Sequence, residues 1–167
     1  LVTLPTSTRL IYPAVADLAL VDSEPHLSST VEAQRVNLNH SPASSITQVR
    51  IIAEKTLSVT HGAYSGVLDY LPDTAIVALI AVFQGATTYT LGLDYQLTAD
   101  QVDWSLAGEE PAPGSTYTVR YQYIDSVLPT AVDATGCTVT GAVSGSMIQI
   151  TYQWKMPRWD RLCLDAA

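Results

Sequence analysis

Short runs rich in β-branched residues, turn signals about every ten residues and almost no 3.6-residue apolar period predict an all-β chain. The expected architecture is an antiparallel immunoglobulin-like β-sandwich with an irregular N-terminal arm or partial module. Composition agrees: of 167 residues only 14% are charged while 47% are hydrophobic, against about a quarter charged in an average soluble domain. Nine Tyr and three Trp against one Phe suit half-buried strand faces, where one end of the ring stays wet.

Residues 1–45 carry Pro5, Pro13, Pro25 and Pro42 among Ser-rich loops, so only short strands are expected there, at Arg9 to Tyr12 and Val31 to Leu38. Ala14 to Val21 reads as one or two helical turns. The main domain is placed at residues 46–125. It opens with Ile46 to Glu54, continues through Leu57 and Val59, and breaks in the loop His61-Gly62-Ala63-Tyr64-Ser65-Gly66. The run Ala75 to Phe83 is apolar without alternation, which fits a strand covered on both faces or a short buried helix, and the strand is preferred because Gln84-Gly85 closes the run and Thr87 to Thr90 resumes a β pattern. The uncharged stretch around it, Thr74 to Leu93, is too interrupted by Gln84, Gly85 and Gly92 to cross a membrane as a helix.

Tyr95 to Thr98 and Gln101 to Trp104 form a hairpin across Ala99-Asp100. Thr116 to Ile124 follows a Pro/Gly turn, with Tyr117, Val119, Tyr121 and Tyr123 on one face and Thr116, Thr118, Arg120 and Gln122 on the other. Asp125 to Ala134 reads as a linker. Residues 126–167 then form a C-terminal hairpin segment that completes the sandwich or leads to a further module, with strands at Cys137 to Thr140, Met147 to Trp154 and Trp159 to Leu164. The chain starts at Leu1, which suggests a processed or partial product.

Eight Lys and Arg face sixteen Asp and Glu, a net charge of -8 with no basic run, so the phosphate-neutralising footprint of a nucleic-acid binder is missing. Cys137 and Cys163 match neither a redox pair nor a zinc motif and read as strand thiols, with a single disulfide as the alternative. His61, Ser65 and Asp69 are near one another, but a Gly-flanked turn is no nucleophile elbow, and a solvated loop is expected. His26 and His40 are expected exposed, with no ligand-spaced partner for zinc. Asp94, Asp100 and Asp103 read as turn caps rather than a calcium loop. Glu109 and Glu110 sit in a Pro/Gly turn and are expected to face water. No cofactor site is identified and no enzymatic activity is expected.

The candidate interaction surface is Trp104, Trp154, Trp159, Arg158 and Arg161. The tryptophans, with Tyr89 and Tyr95, could stack on sugars, although Trp104 packed inward is the plainer reading. Lys155, Arg158 and Arg161 form the one cationic cluster, which could pair with Asp160 and Asp165 or meet an acidic neighbour.

The block Phe83 to Leu97, with Val102-Asp103-Trp104-Ser105, Gly108-Glu109-Glu110-Pro111 and Gly114 to Tyr123, resembles a family of tail proteins from contractile-tailed bacteriophages whose shared domain has no assigned function. Met156 to Leu162 is similar to that family's run into its next module. The resemblance spans roughly Val31 to Asp165. It implies a virion protein, a tail-fibre or baseplate-peripheral component made in the host cytoplasm and located in the tail. The implied partners are other copies of the chain, with a trimer as default, and other tail or baseplate proteins, without nucleic acid or membrane insertion. Free thiols would follow from the reducing cytoplasm. The rival function is a carbohydrate-binding receptor-recognition module contacting a host glycan.

Overall fold

The computed structural model describes residues 17–157. These form twelve strands: β1 (Leu18–Leu27), β2 (Gln34–Asn37), β3 (Ala43–Thr60), β4 (Leu68–Tyr70), β5 (Ile76–Gln84), β6 (Thr87–Tyr89), β7 (Gln96–Thr98), β8 (Gln101–Asp103), β9 (Thr116–Ser126), β10 (Thr130–Asp133), β11 (Gly136–Val139) and β12 (Met147–Lys155). The fold is all-β, and every strand pairing is antiparallel. A six-stranded sheet runs β1-β12-β3-β9-β5-β6, and two three-stranded sheets run β10-β11-β2 and β4-β8-β7. Together they curl into a half-barrel. No helix among the described residues is long and apolar enough to cross a membrane.

β3 organises the whole. It pairs with β12 over Ala43 to Arg50 and with β9 over Arg50 to Thr60. From Val49 onward its odd-numbered residues point to one side, because side chains alternate along a strand. Val49, Ile51 and Ala53 enter a core with Ile148, Ile150, Tyr152, Val36 and Val139, which the β10-β11-β2 sheet covers. Leu57 and Val59 serve a second core with Tyr117, Val119, Tyr121, Val82, Val102 and Trp104, which the β4-β8-β7 sheet covers. The two small sheets therefore lie side by side on one face of the large one, and Tyr123 packs against both cores.

Several expectations need correction. Ala14 to Val21 does not form helical turns where it is described: from Leu18 onward it is edge strand β1, with an irregularity between Val21 and Glu24 and Ser23 at a φ of 54°. An edge position also accommodates Pro25, which has no N–H to give to a ladder. The segment expected as an irregular arm or partial module, residues 1–45, supplies β1 and β2 in its described part, and β2 falls within the strand expected at Val31 to Leu38. The expected linker contains strand β10. The expected strands at Arg9 to Tyr12 and Trp159 to Leu164 fall outside the described residues.

β5 is the most instructive departure. It is a strand, but it is not covered on both faces. Its buried residues are Ile76, Leu79 and Val82, three apart rather than two. Register shifts between Ile76 and Ala78 and between Leu79 and Ala81 each insert one residue, so two β-bulges turn a continuous apolar run into a one-faced strand. Val77 and Ile80 are left exposed.

This geometry sets neighbouring residues apart. Leu79→Ala should destabilise the protein by about 2–5 kcal/mol, whereas Ile80→Ala should stay within about 1 kcal/mol. Urea denaturation of both variants checks the difference, and equal costs would contradict the bulged register.

Candidate functional site

The cleft beside the second core is the candidate site. After β3 the chain turns through residues 61–67 and returns as β4, yet β4 pairs only with β8. The two strands splay apart and leave a cleft of about 530 Å³ lined by Leu57, Ser58, Val59, Thr60, Leu68, Asp69, Tyr70 and Pro72.

A polar clamp closes its base. Asp69 projects inward from the short strand β4 and accepts four hydrogen bonds. Its Oδ2 receives His61 Nδ1 at 2.8 Å, Tyr117 Oη at 2.8 Å and Trp104 Nε1 at 3.0 Å, while its Oδ1 receives the Gly62 N–H at 2.9 Å. Trp104 stands edge-on to Tyr89 and Tyr117, with ring centroids 5.1 and 5.2 Å apart. The expectation of a solvated loop is thereby overturned for His61, whose imidazole has no exposed surface, and for the buried Asp69, while Ser65 is exposed. The loop holds a buried residue because Tyr117 and Trp104 bring polar tips into the core that need an acceptor.

The other imidazole nitrogen faces Glu110. Nε2 lies 3.5 Å from Oε2 and makes no hydrogen bond, so the ring sits between two carboxylates. Glu110 is not turned wholly to water as expected. The Gly66 N–H donates to it at 2.8 Å, and this bond, helped by Ser65 and the His61 charge against a smaller opposing effect of burial, holds its carboxyl below the usual range. Gly108 permits the loop to reach this position, since a Cβ there would lie 2.3 Å from Asp94 Oδ1. The constellation is suited to fastening the loops and the β4-β8-β7 sheet to the large sheet.

The aspartates expected as turn caps take such places. Asp94 accepts the N–H groups of Thr90 and Glu109, and Asp100 accepts that of Ile76. Asp103 accepts from Gln96, Thr98 and the Ser105 N–H. Hydrogen bonds from Ser105 first, then Thr98, hold its carboxyl far below the normal value. Among the described residues no group of three or more His, Cys, Asp or Glu is placed to hold a metal ion.

The expected interaction surface divides. Trp104 is 1% exposed, so it is a core residue and not a surface platform, and Tyr89 and Tyr95 are buried beside it. Trp154 is half-buried, with one face stacked by His40 at 4.6 Å and 23°. Trp159, Arg158 and Arg161 lie outside the described residues, as does Cys163. Cys137 is fully buried, and burial pushes its thiol up. His26 is not free in solvent as expected: its Nε2 lies 2.7 Å from Glu24 Oε1.

Glu24 forms a second clamp, one that no local pattern singles out. It accepts from Tyr152 Oη at 2.5 Å and from the Asn39 N–H at 3.0 Å. Burial opposes its ionisation, but these bonds and His26 outweigh it and keep the carboxyl below its ordinary value. Burial, then the Glu24 carboxylate, pushes the Tyr152 phenol up to about 12. A third pair joins Tyr121 to Asp73, which also meets Lys55 at 3.0 Å. Burial again raises and these partners lower the Asp73 carboxyl, with a net lowering.

Asp69→Ala should cost about 3–5 kcal/mol, since it strands three buried donors, and a calorimetric melt measures the loss. Glu24, Asp73, Asp103 and Glu110 all bind a proton more weakly folded than unfolded. The stability they contribute is therefore complete above their unfolded values, 3.8 to 4.5, and is lost as pH falls through the lower folded ones. Urea midpoints at pH 7 and 5 should nearly agree and then fall steeply below pH 4. A midpoint rising toward pH 3 would contradict this assignment.

No match is found among curated proteins or among solved structures. The chain's whole length, residues 1–167, matches the family model described as a domain of unknown function, DUF4815, and the chain belongs to that family.

Proposed function

We propose that the chain is a non-enzymatic structural component of a bacteriophage tail, in the fibre or at the periphery of the baseplate, which assembles through its β-sheet surfaces. The observation that carries this reading is the contrast between interior and surface. Inside, among the described residues, nearly every buried polar side chain is committed to a partner within the fold. Outside, apolar side chains gather on the bare face of the large sheet. Leu27 is in register with Met147, and Ile52 with Ile124. Ile52, Ile124 and Met147 line one shallow groove with Arg50 and Gln149. Leu27, Met147 and Ile124 are exposed.

A contiguous exposed apolar patch on a strand surface is the expected mark of a protein–protein contact. The resemblance of Phe83 to Tyr123 to phage tail proteins supplies the setting. Self-association, with a trimer as the default for a fibre, follows from the same reading. The glycan-binding alternative loses Trp104, Tyr89 and Tyr95, which are core residues, while Trp159 lies outside the described residues.

Mass spectrometry of purified virions should detect the protein, and cross-linking within them should join the Ile52 face to a neighbouring chain. Absence from virions would overturn the assignment. Ile124→Asp should weaken incorporation while leaving the melting temperature within a few degrees, because the side chain stands outside the core.

A further inference from the structure

The geometry points to a strand-acceptor slot between β3 and β4 that receives an extended segment, residues 6–12, from a second copy of this chain. The inference stands on backbone geometry and does not depend on the virion reading.

Both walls of the cleft are strand edges with unused backbone groups. Val49 O accepts from the Val127 N–H, and the His61 N–H donates to Ser115 O. Hydrogen-bonded pairs alternate along an antiparallel ladder, so the odd residues of β3 bond β9. The N–H and C=O groups of Glu54, Thr56, Ser58 and Thr60 point the other way. β12 covers that side only as far as Arg50, and Val143 caps the Ile52 carbonyl. Beyond this no strand among the described residues pairs with β3 on the cleft side.

The opposite wall follows the same logic. The Trp104 N–H donates to Val67 O and the Leu71 N–H to Asp100 O, so odd residues of β4 bond β8, and Leu68 and Tyr70 turn their backbone groups to the cleft. An inserted strand would find ladder partners on both sides, as in β-augmentation. Its inward residues would cover Leu57 and Val59, and its outward ones would emerge beside Glu54 and Thr56.

The chain's own geometry selects the donor. Leu18 is in register with Lys155, whose N–H donates to Pro42 O, so the described chain begins beside the start of β3. Ser58 is fifteen residues beyond Ala43, about 50 Å along the strand at roughly 3.3 Å per residue. Curl would have to remove more than half of this before Ile11, seven residues from Leu18 and within about 25 Å of it, could reach the slot of its own chain. Supply from another copy needs no such contraction.

Residues 6–12, Thr-Ser-Thr-Arg-Leu-Ile-Tyr, lie between Pro5 and Pro13, are rich in β-formers and carry one cation in a chain of net charge -8. The other terminal segment, 158–167, has no β-branched residue and brings Asp160 and Asp165. With donor and acceptor at opposite ends of β3, the contact is head-to-tail and does not close on itself in a pair.

Sedimentation velocity on the full chain tests this over about 1 μM to about 100 μM. Wild type should show a mass that rises with concentration. Ser58→Pro removes a cleft-facing N–H and no β3–β9 hydrogen-bond donor, and Ile11→Pro breaks the donor, so each alone should remain a monomer. An equimolar mixture of the two should give a 1:1 dimer, because one supplies the only working donor and the other the only working slot. Leu68→Pro should replace Ser58→Pro in the mixture, which covers the case in which either fails to fold by circular dichroism. A monomeric wild type overturns the proposal. So does association that survives Ser58→Pro and Leu68→Pro, or that survives Ile11→Pro, which would indicate a different surface or donor and would leave the virion assignment standing.

Discussion

The structure depends on the unbroken parity of β3 where it pairs with β9. From Arg50 to Thr60 its pairing with β9 runs without a register shift, so one row of side chains faces one side over the whole length. A one-residue slip anywhere would send every later core residue to the wrong face. Because the row is continuous, two separate cores form on the same side of a single sheet. Two small sheets, neither of which buries an apolar face alone, share one support.

Directional bonds complete what apolar packing leaves loose. Tyr152, Tyr117 and Tyr121 rise from the large sheet, and their hydroxyls meet Glu24, Asp69 and Asp73. Asp69 belongs to a three-residue strand and Asp73 to the turn that follows it. Elements so short make few apolar contacts, and a charge-assisted bond at each is stronger than a neutral one. The result is a core whose polar content sits at its seams.

The sequence made the regular parts of this fold readable. The alternation in Thr116 to Ile124 located the face of β9, and Ala99-Asp100 located the β7–β8 turn, since both features are local. Non-local features were hidden. Leu18 to Val21 lacks alternation because an edge strand with an irregularity at Val21/Glu24 need not maintain it. His61 looked like a loop residue because the phenol that shares its partner Asp69, that of Tyr117, enters from a strand 48 residues beyond that aspartate. Glu24 gave no signal at all, because Tyr152 is 128 residues distant. For the clamps, a readable clue was Tyr117 itself: a phenol on a core-facing row requires an acceptor somewhere.

β5 carries a consequence for how this chain can vary. Its two bulges act as spacers that set the phase of an otherwise featureless apolar run, so its identity as a strand resides in residue count rather than in residue type. Conservative apolar exchange along it leaves the phase untouched, while loss or gain of one residue rotates the remainder of the strand. Relatives of this protein would then be free to drift in composition here while holding length fixed, the opposite of the behaviour of a surface loop.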